Sequence, residues 1–340
     1  MGAARRPKAL ILRIALVVVA ALAFAIRMAD AIQSQTATGG WFIDWRTYSN
    51  AVERWLSGYP IYGLDQVSGP YFFQEVVARD YAYPPASIPL MVPFAPDPFG
   101  LIAWEALLIG ALLAAIWVIA GRGFPHRRIE AFAVALLAAA CFYPITQGIA
   151  AGNVNIATAA LLAWAWTGMH RPGVVAGIFA IEKVFPIGIA VLYGRRAVIV
   201  AVLTAIAVAV ITLPLVGLHS WSDFVVSLQN ALPTCPNSIL NLSVACTLQP
   251  ALGLRGAEFL SLAIAAGLLL IGAATGPTLI GIVAIGAAIM VPAADLHLHY
   301  WSFAFIALFI AVARIARRRR GEAPDPAWRP FRERWGFGPG

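Results

Sequence analysis

Side chains able to do chemistry are scarce in this chain and fall in four places. The first is Asp44, at the head of a helix-like pattern in WFIDWRTYSNAVERWLSGYPIY, Trp41 to Tyr62. The second is ITQGIAAGNVN, where Gln147, Asn153 and Asn155 gather among glycines. The third is Glu182-Lys183, with Pro186 close behind, in the middle of an apolar stretch. The fourth is DLHLHYW, Asp295 to Trp301, which carries His297 and His299. A carboxylate at a helix N-terminus is favoured in its ionised form, the form that accepts a proton. Asp is equally a good N-cap, and the two roles are compatible. A Lys and a Glu within a membrane segment are costly and usually functional. The plainer account is a pair that neutralises itself, although adjacent helical residues point about 100° apart. Two imidazoles two positions apart are weak evidence for a metal, and a hydrogen-bonding pair at a membrane edge accounts for them as well. There is no P-loop, no GxGxxG behind a strand, no HExxH and no Cys/His metal spacing. No metal and no cofactor are expected.

These residues must be positioned by a membrane scaffold. The chain has 340 residues, of which 61% are hydrophobic and 12% charged. Soluble domains carry roughly twice that charged fraction, and several apolar runs exceed the ~18 residues that cross a bilayer. An all-α polytopic integral membrane protein follows. The net charge of +8 would point to nucleic acid in a soluble protein, but here it is explained by position. Arg5, Arg6, Lys8 and Arg13, then Arg122, Arg127 and Arg128, then Arg195 and Arg196, then Arg314 and Arg317 to Arg320 stand between or beside apolar runs. Such clusters mark cytoplasmic ends.

Spans are expected at about 9–29, 99–120, 129–147, 153–168, 197–217, 257–274, 278–293 and 301–316. The segment 173–194 is flanked by basic residues at both ends; with both ends cytoplasmic it is a re-entrant pair of half-helices with Lys183 at its tip, and as a single span it would put Glu182 and Lys183 at mid-membrane. The re-entrant form makes eight spans plus a hairpin, about ten membrane helices, with external loops at about 30–98, 218–256 and 294–300. Residues 1–316 form one membrane domain, and 317–340 a basic, disordered cytoplasmic tail. The first segment could be a cleaved signal peptide; its length favours an uncleaved anchor. In the first external loop Trp45, Tyr48, Val52, Trp55 and Tyr59 recur at helical spacing, opposite Arg46, Asn50, Glu53 and Ser57. Such a helix lies in a membrane interface. The stretch YAYPPASIPLMVPFAPDPF is too broken by proline to span and is expected at the membrane surface. Cys235 and Cys246 share one external loop, where a disulfide could form. The polar residues collect on the external face. That face has no ATP, so a reaction there needs an activated donor presented by the membrane.

The order of motifs resembles glycosyltransferase family 87, membrane enzymes of the C-type glycosyltransferase fold. The matching pieces are DWRTYSNAVERWLSGYPIY after the first span, YAYPP before the second, GNVN opening a span, EKVFP in a short membrane segment, NLS in the late loop and the His motif before the last span. They cover about 40–310. The resemblance implies transfer of a sugar, usually mannose in an α-1,2 link, from polyprenyl phosphate to an extracytoplasmic glycolipid or glycan, at the plasma membrane of a prokaryote. It implies that Asp44 is the general base. The departing phosphate then needs positive charge or donors beside it, for which Lys183, His299 and His297 are the candidates, and inversion would follow from a single displacement. Trp45, Arg46, Tyr48, Tyr83, Asn153, Asn155 and Asn241 would line the site. Arabinofuranose replaces mannose in some relatives. A transporter or flippase of polyprenyl lipids would suit Glu182 and Lys183, but no inverted repeat is visible. A non-catalytic scaffold fits the polarity poorly.

Overall fold

The computed structural model describes residues 5–37, 42–72, 80–183, 186–232, 244–291, 298–322 and 331–336. Helices make nearly all of its regular structure. In chain order they are α1 (Arg5–Ala37), α2 (Ile43–Leu56), α3 (Leu64–Ser68), α4 (Ile88–Met91), α5 (Phe99–Gly123), α6 (Arg128–Cys141), α7 (Tyr143–Ala150), α8 (Asn155–Thr167), α9 (Pro172–Phe179), α10 (Ile187–Val191), α11 (Arg195–Asn230), α12 (Val244–Thr275), α13 (Leu279–Met290), α14 (Ser302–Arg319) and α15 (Phe331–Trp335). Among the described residues, strand pairing is limited to β1 (Tyr71–Phe72) running parallel to β2 (Ala231–Leu232).

By length and composition, four helical stretches among the described residues could cross a membrane: Leu10–Ala37, Phe99–Gly123, Arg195–Asn230 and Arg255–Thr275. A fifth forms if α6 and α7 count as one span; the two are bent by 74°. One span was expected at about 129–147. The bend falls where Phe142 takes an extended backbone and Pro144 follows at the start of α7. A proline there cannot continue the preceding helix. The expected spans at 153–168 and 278–293 are short helices, α8 of 13 residues and α13 of 12. At 1.5 Å per residue each reaches about 20 Å, against the roughly 30 Å of a hydrocarbon core. Almost every residue of α8 is buried, and it packs against α5, α13 and α14. Its apolar surface therefore faces protein on all sides, which composition cannot distinguish from facing lipid.

The segment 173–194 is a broken helical pair. α9 and α10 pack on each other and on α11, with Glu182 and Lys183 in the break between them. Gly173 and Gly177, four apart, face α11. A Cβ at either would come 2.5 Å from a carbonyl oxygen, of Ala197 or Ala201 respectively. That is the close helix approach which small residues at this spacing permit.

Two expected loops are more helical than the sequence suggested. α11 continues through 218–230 after leaving helical geometry at Gly217, and α12 begins at Val244 with a similar break at Gly253. Proline stands three residues before each break, at Pro214 and Pro250. The tail is also partly structured. α14 runs to Arg319, and from α15 the Arg334 guanidinium donates to the carbonyls of Leu192 (2.8 Å) and Ala274 (3.1 Å).

One hydrophobic core runs through the molecule, from Ala20 in α1 to Ala313 in α14. The aromatic stripe of α2 belongs to it. Trp45, Tyr48 and Val52 are buried, so this part of the stripe meets protein, not the lipid interface, while Trp55 is partly buried and Tyr59, past the helix end, is exposed. Tyr81, Ala86 and Ile88 of the proline-rich stretch are buried in the same way. Aromatic periodicity alone does not say whether lipid or protein covers the stripe.

Candidate functional site

The site begins where the first loop meets the turn between α7 and α8. The backbone N–H of Phe42 donates to Ala150 O and that of Asp44 to Ala151 O, both at 2.9 Å. The turn closes on itself through Asn153 N to Gly148 O, 2.9 Å. Gly152 carries it at φ +72°, and a Cβ there would come 2.7 Å from the Cβ of Trp45. Only glycine takes this backbone without strain. Trp104 then anchors the turn from α5, its indole N–H donating to Gly152 O at 2.7 Å.

Asp44 is not the N-cap of α2. Phe42 occupies that position in left-handed geometry without any side-chain cap, and Asp44 lies in the first helical turn. Its half-buried carboxylate instead accepts from Nδ2 of Asn153 at 2.7 Å. The turn had already bound the Asp44 backbone, which leaves the side chain aimed at the turn's own amide. Asn153 Oδ1 in turn accepts from the backbone N–H of Asn155 at 2.8 Å. Oδ1 of Asn155 accepts from Nζ of Lys183 at 3.0 Å. A carboxylate, two amides and an ammonium thus form one connected row.

The ammonium end is buried, Lys183 being 8% exposed. Burying a charge requires compensation, and aromatic faces supply part of it. Nζ lies 5.4 Å from the ring centre of Tyr83 and 5.2 Å from that of Tyr300, within cation–π range. Asn155 accepts from one of the ammonium's N–H donors, of which it has three. The backbone N–H groups of Glu182 and Lys183 both bond Phe179 O at 3.2 Å, which fixes the break that presents them.

Tyr48 connects the two ends. Its ring meets Tyr83 at 5.0 Å and Trp104 at 5.6 Å, edge to face. Burial, reinforced by neighbouring charges that include Asp44, raises the pKa of both Tyr48 and Tyr83 well above the ordinary phenol value. Both therefore keep their protons and can donate. Tyr62 holds the backbone of this cluster, its hydroxyl donating to Tyr83 O at 2.7 Å.

Of the residues singled out from the sequence, Asp44, Tyr48, Tyr83, Asn153, Asn155 and Lys183 come together here. Trp45 is buried and donates to Phe94 O at 2.7 Å, so it anchors α2. Arg46 follows on α2, partly buried. Asn241, Cys235 and His297 lie outside the described residues, as does the side chain of His299, whose backbone sits in the short turn Leu298–Trp301. Cys246 lies in the first turn of α12. Asp80 is buried, and it and Asp65 lie close enough to Arg54 to favour its charge. Among the described residues no three His, Cys, Asp or Glu side chains gather as a metal site would. Sequence reasoning missed Tyr300, although it sits inside the DLHLHYW motif, and it singled out Glu182 without giving it a place among the site residues.

In comparisons with known proteins, the family model described as glycosyltransferase family 87 matches residues 81–331. No curated protein matches, and no solved structure does. The matched region carries Tyr83, Asn153, Asn155 and Lys183 and begins after Asp44. The contact from Asn153 is what joins Asp44 to it.

Proposed function

Because the chain belongs to glycosyltransferase family 87 and is thereby a transferase of sugars, we propose that it moves mannose from a polyprenyl-phosphate donor to a glycolipid or glycan acceptor, at the extracytoplasmic face of a prokaryotic plasma membrane. The observation that carries this reading is the row from Asp44 to Lys183. It sets a half-buried carboxylate and a buried ammonium at the two ends of one hydrogen-bonded unit. The reaction needs both together.

At one end Asp44 takes the proton from the acceptor hydroxyl as its oxygen attacks the anomeric carbon. Asn153 keeps the carboxylate turned toward that oxygen. At the other end the bond from the anomeric carbon to the phosphate oxygen breaks, and its electron pair leaves with the lipid phosphate. Lys183, with His299 and His297, stabilises the charge that develops there. Polyprenyl phosphate is a stable anion, so no acid is required to protonate it. The new bond forms on the face opposite the one that breaks, which inverts the anomeric centre. The placement of basic clusters at the ends of the apolar helices supports the assignment of sides.

The test uses the full-length protein in vesicles with radiolabelled polyprenyl-phosphate mannose, polyprenyl-phosphate arabinofuranose and a nucleotide sugar as separate donors. Label should pass from the mannose donor to an extractable glycolipid or glycan with inversion. Transfer only from arabinofuranose would replace the sugar and keep the mechanism. Transfer from the nucleotide sugar alone, or movement of the polyprenyl lipid across the vesicle without transfer, would overturn the proposal.

A further inference from the structure

Among the described residues, four buried polar atoms at this site make no hydrogen bond of normal geometry: both carboxylate oxygens of Glu182, the hydroxyl of Tyr48 and Nδ2 of Asn155; the Tyr48 hydroxyl does lie near enough to Glu182 and to Tyr83 to interact with both. Their residues are 8%, 2% and 1% exposed respectively. Buried polar atoms without partners are rare and costly, so a cluster of them calls for an occupant. They also belong to one place. Asn155 bonds Lys183, Glu182 is the residue before it, and Tyr48 feels the charges of both Glu182 and Asp44. Tyr48 meets the same Tyr83 ring that lies under the ammonium.

The chemistry of the orphans describes what would satisfy them. Glu182 offers only acceptors when ionised, the amide nitrogen of Asn155 offers only donors, and a phenol offers either. A phosphate would repel Glu182 and would leave its acceptors unmet. Water could meet some of these groups but would not explain the aromatic faces of Tyr83 and Tyr300 beside them. A polyol with neighbouring hydroxyls, each both donor and acceptor, satisfies the whole set. We propose that Glu182, Tyr48 and Asn155 read the hydroxyls of the donor sugar. Glu182 accepts hydrogen bonds from sugar hydroxyls, Asn155 donates to one, and Tyr48 closes the set from α2, while Lys183 alone of this group serves the phosphate. This deepens the function proposed above and rests on it.

The simpler alternative is that Glu182 exists to offset the charge of Lys183. The two differ in what they do to a ligand with no sugar. Glu182→Gln and Tyr48→Phe are nearly isosteric, and their melting temperatures, measured alongside, should stay near wild type. For each, the KM for polyprenyl-phosphate mannose is compared with the inhibition constant of plain polyprenyl phosphate, which keeps the lipid and the phosphate. Glu182→Gln should raise KM about tenfold or more, the scale of a hydrogen bond to a charged group. It should leave inhibition by the sugar-free lipid unchanged. Tyr48→Phe should do the same by a smaller factor. If both constants move together in Glu182→Gln, the carboxylate acts on Lys183 and the inference is overturned. Unchanged KM in both variants overturns it equally, with the transferase reading intact. A wild-type protein inactive toward every polyprenyl-phosphate sugar would sink that reading and this subsite with it.

Discussion

The two ends of the molecule treat charge in opposite ways. At the end rich in basic residues, several charged groups are closed on partners within the protein. Arg13 pairs with Glu130 at 2.8 Å, and Glu322 takes both Arg317 (2.8 Å) and Arg320 (2.6 Å). Arg320 also donates to Gly123 O at 2.7 Å, and Arg334 reaches across to Leu192 O. The paired groups lie at the surface, most of them about a third exposed, where water screens them and a pair contributes little. At the other end, around Asp44, the polar groups are buried and several are left open. Among the described residues, Tyr48, Glu182 and Asn155 each have an atom with no hydrogen bond of normal geometry, and so does Glu105 just behind the Gly152 turn. Burial makes an unmet group expensive. The difference teaches that the basic end is arranged for topology, while the other end is arranged for something that arrives.

The comparison is broken most severely at Asp44. Asp44→Asn keeps the side chain's shape and removes its ability to take a proton. Turnover should fall by about 100-fold or more, the usual scale for a lost general base. Expression, thermal stability and donor binding should stay near wild type, as checked by melting and a lipid-binding assay. Turnover close to wild type would move the search for the base to Asp65 or Asp80.

A smaller effect is expected from the amide that holds Asp44. Asn153→Ala removes the donor at 2.7 Å and should lower kcat by about tenfold, with a smaller change in donor KM. Asn153→Asp places a second carboxylate there. A like charge disfavours ionisation of its neighbour, so the acid limb of the pH–rate profile should move to higher pH by about one unit. An unmoved acid limb would mean that the limb does not report Asp44.

Gly152→Ala tests the turn beneath the row. The positive φ and the approach of Trp45 should together lower stability by about 2 kcal/mol, measured by denaturation in detergent. Activity should fall along with it, because the same turn positions Asn153. A variant as stable as wild type would show that the loop yields.

The smallest effect belongs to the basic end. Hydrogen bonds from Arg317 and then Arg320 hold the Glu322 carboxyl below its usual range. A lowered folded-state value means that the contribution is present above the ordinary glutamate range and fades as pH falls through the lowered value. Glu322→Gln should therefore change the melting temperature slightly at neutral pH, and the gap should close as pH falls below the ordinary glutamate range. Sugar transfer should be unaffected. A loss of transfer in this variant would end the division between the two ends.

Much of this protein was legible in its sequence because those features are local or compositional. Long apolar runs, basic clusters at their ends, a helix opening near Asp44, a break around Lys183 and the turn chemistry of GNVN each depend on neighbouring residues and on the bilayer as solvent. Three things were decided only by tertiary structure. Asp44 proved to be held by Asn153, 109 positions away, where local geometry alone suggested a cap. The first half of the aromatic stripe of α2 and nearly all of α8 turned out to face protein, because hydrophobicity records the wish to leave water and not the surface that replaces it. Lys183 met Asn155 across 28 positions, and Glu182 came to lie beside Tyr48 of a helix far away in the chain. Spacing in the chain carries no information on such contacts, since they exist only once separate helices have packed and fixed which side chains share a buried space.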